Sequence, residues 1–130
     1  MKDAEPHPTN AEFEILQVLW HRGPSTVRDV HESLGPDRRV GYTTVLKLLQ
    51  IMAEKCLVTR DESARSHVYR AAVSEEATTR RMVSELLDRA FEGSALRLVM
   101  QALAARPASR EELQRIRALL DQKQKKGESS

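Results

Sequence analysis

The stretch Tyr42–Arg60 constrains the fold more than any other part of the chain. Stepped round at about 100° per residue, Val45, Leu49 and Met52 share one face, with Leu46, Leu48 and Ala53 flanking it. Thr43, Thr44, Lys47 and Gln50 fall on the other face, with Ile51 and Glu54. The pattern predicts an amphipathic helix that runs straight into a strand. Its second face offers hydroxyls, an ammonium and an amide near the helix N-terminus. Such groups suit base edges and phosphates in a DNA major groove. An ordinary surface helix can look the same, so the elements that follow decide between the two readings.

Leu57-Val58-Thr59-Arg60 and His67-Val68-Tyr69-Arg70 are two short β-prone runs separated by the polar Asp61–Ser66. That is the pattern of a hairpin with a long tip. A helix feeding a basic-tipped hairpin is the outline of a winged helix-turn-helix. The helix would enter the major groove and the wing would lie on the backbone or the neighbouring minor groove. Arg65 near the tip and Arg60 and Arg70 on the strands are placed for phosphate contact. Net charge is only +2, so the total does not argue for nucleic acid. Distribution does: Arg38 to Arg70 carries seven cations against three carboxylates. The expected DNA-facing set is Arg39, Tyr42, Thr43, Thr44, Lys47, Gln50, Arg60 and Arg65.

The 130 residues suffice for one domain with an appendage. Thr9-Asn10-Ala11-Glu12 fits a capping box and predicts a helix with Phe13, Leu16, Leu19 and Trp20 inward, stopped at Gly23-Pro24. Ser25 is expected to cap a second helix to about Leu34, with Val27, Val30 and Leu34 inward. Arg38–Gly41 leads into the third helix and is a candidate short strand. Leu16, Trp20, Val30, Val45, Leu49 and Val68 should form the core. Ser74-Glu75-Glu76 opens a fourth helix that stops at Gly93, Ser94 caps a fifth, and Ser109–Glu112 opens a sixth. The expected architecture is mostly α with a small β-hairpin. An extension (1–8) precedes a winged helix (9–73), a three-helix dimerisation region (74–122) and a frayed tail (123–130).

The fifth segment, Ala95–Ala105, is polar only at Arg97 and Gln101. A helix apolar nearly all round is normally covered on all sides. Two neighbouring helices cannot easily do that, and a second copy of the chain could. The expectation is a homodimer built from Val83, Leu86, Leu87, Phe91, Leu96, Leu98, Val99, Met100, Leu103, Leu113, Ile116 and Leu120. The competing arrangement packs the fifth helix onto the winged-helix core.

No apolar run reaches the roughly 18 residues that span a bilayer. Met1–Pro6 lacks the order of a secretory signal, so a cytoplasmic location is expected. Cys56 is the single cysteine, which excludes an intrachain disulfide, and Met52 and Leu57 beside it suggest burial. His7, His21, His31 and His67 match no metal spacing, and no nucleophile motif or phosphate-binding glycine loop occurs. Neither an enzyme nor a cofactor is expected. The competing reading is a winged-helix adaptor that binds protein rather than DNA.

These residues together resemble the penicillinase and methicillin-resistance repressors, the BlaI/MecI family. The similarity runs through Thr9-x-x-Glu12, Ile15-Leu16-x-x-Leu19-Trp20, Gly23-Pro24, Val27-x-x-Val30 and Tyr42-Thr43-Thr44-Val45. It continues through Leu57-Val58-Thr59-Arg60, His67-Val68-Tyr69 and Phe91-Glu92-Gly93-Ser94 with Leu98-Val99. The resemblance implies an N-terminal winged helix, a C-terminal dimerisation region and repression at inverted repeats in a β-lactam or cell-envelope response. It also implies a membrane sensor protease as partner, with cleavage in the fifth helix. The family's Asn-Phe cleavage pair is replaced here by Gln101-Ala102. Copper-responsive relatives carry a C-terminal cysteine cluster, whereas no cysteine follows Cys56.

Overall fold

The computed structural model describes residues 7–35 and 40–129, with side chains to residue 127. Arg38, Arg39 and the first six residues of the expected extension lie outside the described residues. Within them the chain forms α1 (Asn10–Arg22), β1 (Ser25–Thr26), α2 (Val27–Leu34), α3 (Tyr42–Glu54), β2 (Val58–Asp61) and β3 (Val68–Ala71). Three helices follow: α4 (Glu75–Ala90), α5 (Ala95–Ala105) and α6 (Arg110–Ser129). The strands form one antiparallel sheet in the order β1-β3-β2. The fold is mostly helical, a winged helix-turn-helix followed by a helical region. Contacts divide it into two compact units, Met1–Arg81 and Met82–Ser130.

The first unit has a continuous core. Ile15, Leu16 and Leu19 of α1 meet Val27 and Val30 of α2 and Val45, Leu49 and Met52 of α3, and Leu57, Val58 and Tyr69 close it. Each such side chain taken from water contributes about 1.5–3 kcal/mol. The α3 face predicted from the sequence is the one that is buried, with Leu46, Leu48 and Ala53 half-buried on its flanks. Two expected core residues differ. Val68 is half-buried and its neighbour Tyr69 is fully enclosed, because adjacent strand residues face opposite ways and the larger apolar surface turns inward. Trp20 packs at the margin, where its indole Nε1 donates to the Val73 carbonyl at 2.9 Å and its ring meets Phe13 edge-on. The start of α4, through Arg81, belongs to this unit too, and Thr78 there is buried.

Other details depart from the sequence expectations. Thr26, not Ser25, caps α2: its hydroxyl accepts from the Asp29 amide at 3.1 Å, and Asp29 accepts from the Thr26 amide at 3.1 Å. Ser25 is committed elsewhere, pairing with Tyr69 in the sheet and donating its hydroxyl to the Gly23 carbonyl. The strand beyond the hairpin is β1; of the expected Arg38–Gly41, Arg38 and Arg39 lie outside the described residues, and Val40 and Gly41 are in no strand. The hairpin strands each begin one residue later than expected. Cys56 is exposed, with φ of +67°. It occupies the left-handed turn that ends α3, where the Leu57 amide reaches the Met52 carbonyl at 2.9 Å and the Cys56 amide the Ala53 carbonyl at 3.2 Å. That turn carries the chain into β2 and leaves the thiol outside. The tail expected to fray continues as helix to Ser129, in keeping with the helix-favouring Gln and Lys of its last turns.

Candidate nucleic-acid interface

The buried face of α3 leaves Thr43, Thr44, Lys47 and Gln50 exposed together, beside the exposed Tyr42 and Ile51. Ordinary 3.6-residue geometry makes this one continuous surface. The N-cap of α3 is Gly41, and no side chain caps the helix. The first amides are thus left to solvent or a ligand, at the end where the helix dipole is positive. The other helices have a hydroxyl at that place, from Thr9, Thr26, Ser74, Ser94 and Ser109.

Two hollows flank α3. One, of about 500 Å³, joins Tyr42 and Leu46 to Thr26, Val27 and Arg28 of the α2 start and to Arg65, Ser66, His67 and Tyr69 of the wing. The other, of about 440 Å³, joins Gln50, Ala53 and Glu54 to Arg60 and Glu62. The two hollows differ in charge. Arg28 and Arg65 give the first a cationic rim without a carboxylate among its lining residues. The second contains Glu54 and Glu62, and Arg60 is already paired with Glu62 (Nη2–Oε2 2.6 Å, Nε–Oε2 2.8 Å).

The structure thus brings Tyr42 and Arg65 to one groove and Gln50 and Arg60 to another, with Thr43, Thr44 and Lys47 on the exposed helix face. Arg39 lies outside the described residues. The Tyr69 hydroxyl is buried without a partner at hydrogen-bond geometry among the described residues. Arg60, opposite it in the register, is held in its charged form by that hydroxyl first and by Glu62 second. That first contribution is hydrogen bonding between the hydroxyl and the guanidinium, at a geometry looser than a strict hydrogen bond. At the wing tip Asp61 accepts from the Ser63 amide at 2.9 Å, and the Ser63 hydrogen bonds hold its carboxyl below the ordinary value.

Arg28 was missed by the sequence reading. It sits two residues after the α2 cap and opposite the buried Val30, a position that only the correct cap makes legible. Among the described residues no group of three or more His, Cys, Asp or Glu could hold a metal ion, and no helix is long and apolar enough to cross a membrane.

A family model described as penicillinase repressor matches residues 8–122. "Transcriptional regulator BlaI" of Mycobacterium tuberculosis, from two strains, is 44% identical over 59 residues, 45% of this chain and 43% of that one. The chain thus matches less than half the length of these relatives. "Methicillin resistance regulatory protein MecI" of Mammaliicoccus sciuri is 18% identical over 115 residues, covering 88% of this chain and 94% of the relative. A solved structure titled "CopR Repressor Structure" aligns with 51% of this chain and 96% of its own, at 24% identity and a TM-score of 0.45. These names are those of regulators and repressors, not of enzymes. The family match, continuous from α1 into α6, establishes that the chain belongs to the penicillinase repressor family.

Proposed function

We propose that the chain is a cytoplasmic transcriptional repressor that binds a near-palindromic operator as a homodimer. The observation that carries the reading is the exposed Thr43-Thr44-Lys47 face of α3 beside a groove with Arg28 and Arg65 on its rim. Hydroxyls and an ammonium can read base edges, while the arginines and the uncapped α3 amides take phosphates on either side. Tyr42 and Gln50 extend the reading surface. Arg60 contributes less, because a phosphate must compete with Glu62 for it.

Dimerisation is supported by the second unit. None of its described residues is buried, and Leu96 and Met100 of α5 are 69% and 58% exposed. Val83 and Leu86 of α4 and Leu113 and Leu120 of α6 are exposed as well. A second copy would give these helices the interior that one copy lacks. The proposed division keeps a DNA-binding region at 9–73, and within the expected dimerisation region at 74–122 the association surface is assigned to the part from Met82 onward.

Relief of repression by a membrane sensor protease extends the proposal to a β-lactam or cell-envelope response. Gln101 and Ala102 lie within α5. Cleavage there would require α5 to open locally.

Selection from a randomised duplex library tests the function. Enrichment of one inverted repeat, bound by two protomers, is expected. Thr44→Ala and Lys47→Ala should each weaken the selected site by about 1–3 kcal/mol per half-site. Arg28→Ala and Arg65→Ala should weaken all duplexes alike and flatten the salt dependence. No enrichment of any duplex would leave the adaptor reading in its place.

A further inference from the structure

His31 lies outside the DNA-facing set, yet it touches Val40, just ahead of α3, and Tyr42, the first residue of that helix. It is half-buried in the last turn of α2. Its Nε2 stands 2.9 Å from the Val40 carbonyl oxygen. Its ring meets that of Tyr42 edge-on, with centroids 6.3 Å apart and planes at 82°. A carbonyl oxygen only accepts, so Nε2 carries the proton and donates.

The start of α3 has no fastening of its own, because Gly41 supplies no capping side chain. The far end differs. There Lys55, just past the helix, donates to Glu12 of α1 at 2.7 Å. Between the ends, Val45, Leu49 and Met52 hold the helix by apolar contact, which is close-packed but not directional. A directional tie at the start comes from His31.

We infer that His31 is a positioning residue for the recognition helix: its hydrogen bond to Val40 sets where α3 begins, and hence where Tyr42, Thr43 and Thr44 stand. The functional half of this inference rests on the DNA reading above. Base contacts hold over only a few tenths of an ångström, whereas attraction to phosphates tolerates larger shifts. Loss of the tie should therefore lower specific binding and spare non-specific binding.

Two variants separate the parts of the imidazole. His31→Phe keeps a ring against Tyr42 and removes the donor. His31→Gln loses the ring and keeps an N–H at about the reach of Nε2. The probes are the duplex selected by the unaltered protein and a scrambled duplex of equal length. Amide hydrogen exchange over residues 40–45 is measured without DNA, beside thermal melting.

His31→Phe should melt close to the unaltered protein, exchange faster at 40–45 and lose about tenfold in affinity for the selected duplex only. His31→Gln should restore slow exchange and affinity. Unchanged exchange in His31→Phe, or equal losses in both variants, overturns the inference. If His31→Phe fails to fold, His31→Gln decides alone: a folded variant with native exchange and affinity supports the inference, and a folded one with reduced values overturns it. Changed exchange without any duplex binding by the unaltered protein overturns the DNA reading and leaves the structural tie standing.

Discussion

Cys56 holds the backbone at φ +67°, a conformation that costs a residue with a Cβ about 1–2 kcal/mol and costs glycine little. It does so to close the turn that releases α3 into the wing. Cys56→Gly should therefore stabilise the protein by about 0.5–1 kcal/mol in chemical denaturation, the relief being offset in part by glycine's larger unfolded-state entropy. Cys56→Val should destabilise it, since a branched Cβ suits that region least. A loss of stability in Cys56→Gly would show that the side chain contributes packing despite its exposure. Glu12 is the opposite case, a carboxylate only 2% exposed. It accepts from the Thr9 amide at 2.9 Å and from the Lys55 ammonium at 2.7 Å, so one side chain caps α1 and holds the end of α3. The capping role is legible from Thr9-x-x-Glu12, but the ion pair spans 43 residues of sequence and no local pattern carries it.

At the scale of the element, α2 is short, eight residues, and depends on its cap. Thr26→Ala should destabilise the first unit by about 1 kcal/mol, measured as a lowered midpoint of thermal unfolding. The cap also imposes a pH dependence. The Thr26 amide, above all, holds the Asp29 carboxyl below its ordinary value of 3.8; burial opposes it as the next largest influence, and the Thr26 hydroxyl, Arg22 and Arg28 add to the lowering. A depressed carboxylate contributes stability above its unfolded value and loses it as pH falls through the folded one. The α2 contribution should thus be full near neutrality and vanish only below pH 3.8. Asp29→Asn should make unfolding less acid-dependent in that range, and an unchanged acid limb would count against the capping role.

The whole molecule combines a unit that encloses its own core with one whose described residues include none that is buried. Substitutions in the second unit should accordingly act on assembly. Leu96→Asp and Met100→Asp add charge at sites already exposed in one copy, so Trp20 fluorescence should report a native first unit. A dry dimer contact would lose several kcal/mol from each unpaired carboxylate, and light scattering should show monomers. Affinity for a two-half-site duplex should then fall steeply, because linked binding is lost. Dimers that persist in both variants would place the association surface elsewhere. Leu98 is half-buried within one copy, so Leu98→Asp should in addition destabilise the helices themselves.

The sequence by itself determined the periodic elements: which side of α3 is buried, that a hairpin follows it, and where Thr9, Ser74, Ser94 and Ser109 start helices. These are local matters of side-chain period and of amides that need an acceptor within three residues. The tertiary structure alone decided the rest. Pairing with Tyr69 drew Ser25 into a strand and passed the α2 cap to Thr26. Competition between neighbours for one interior put Tyr69 inside and Val68 at the margin. The hollow that unites Arg28, Tyr42 and Arg65 gathers residues of two helices and the wing tip. Its composition follows from packing geometry over long sequence distances, which no periodicity within a single element encodes.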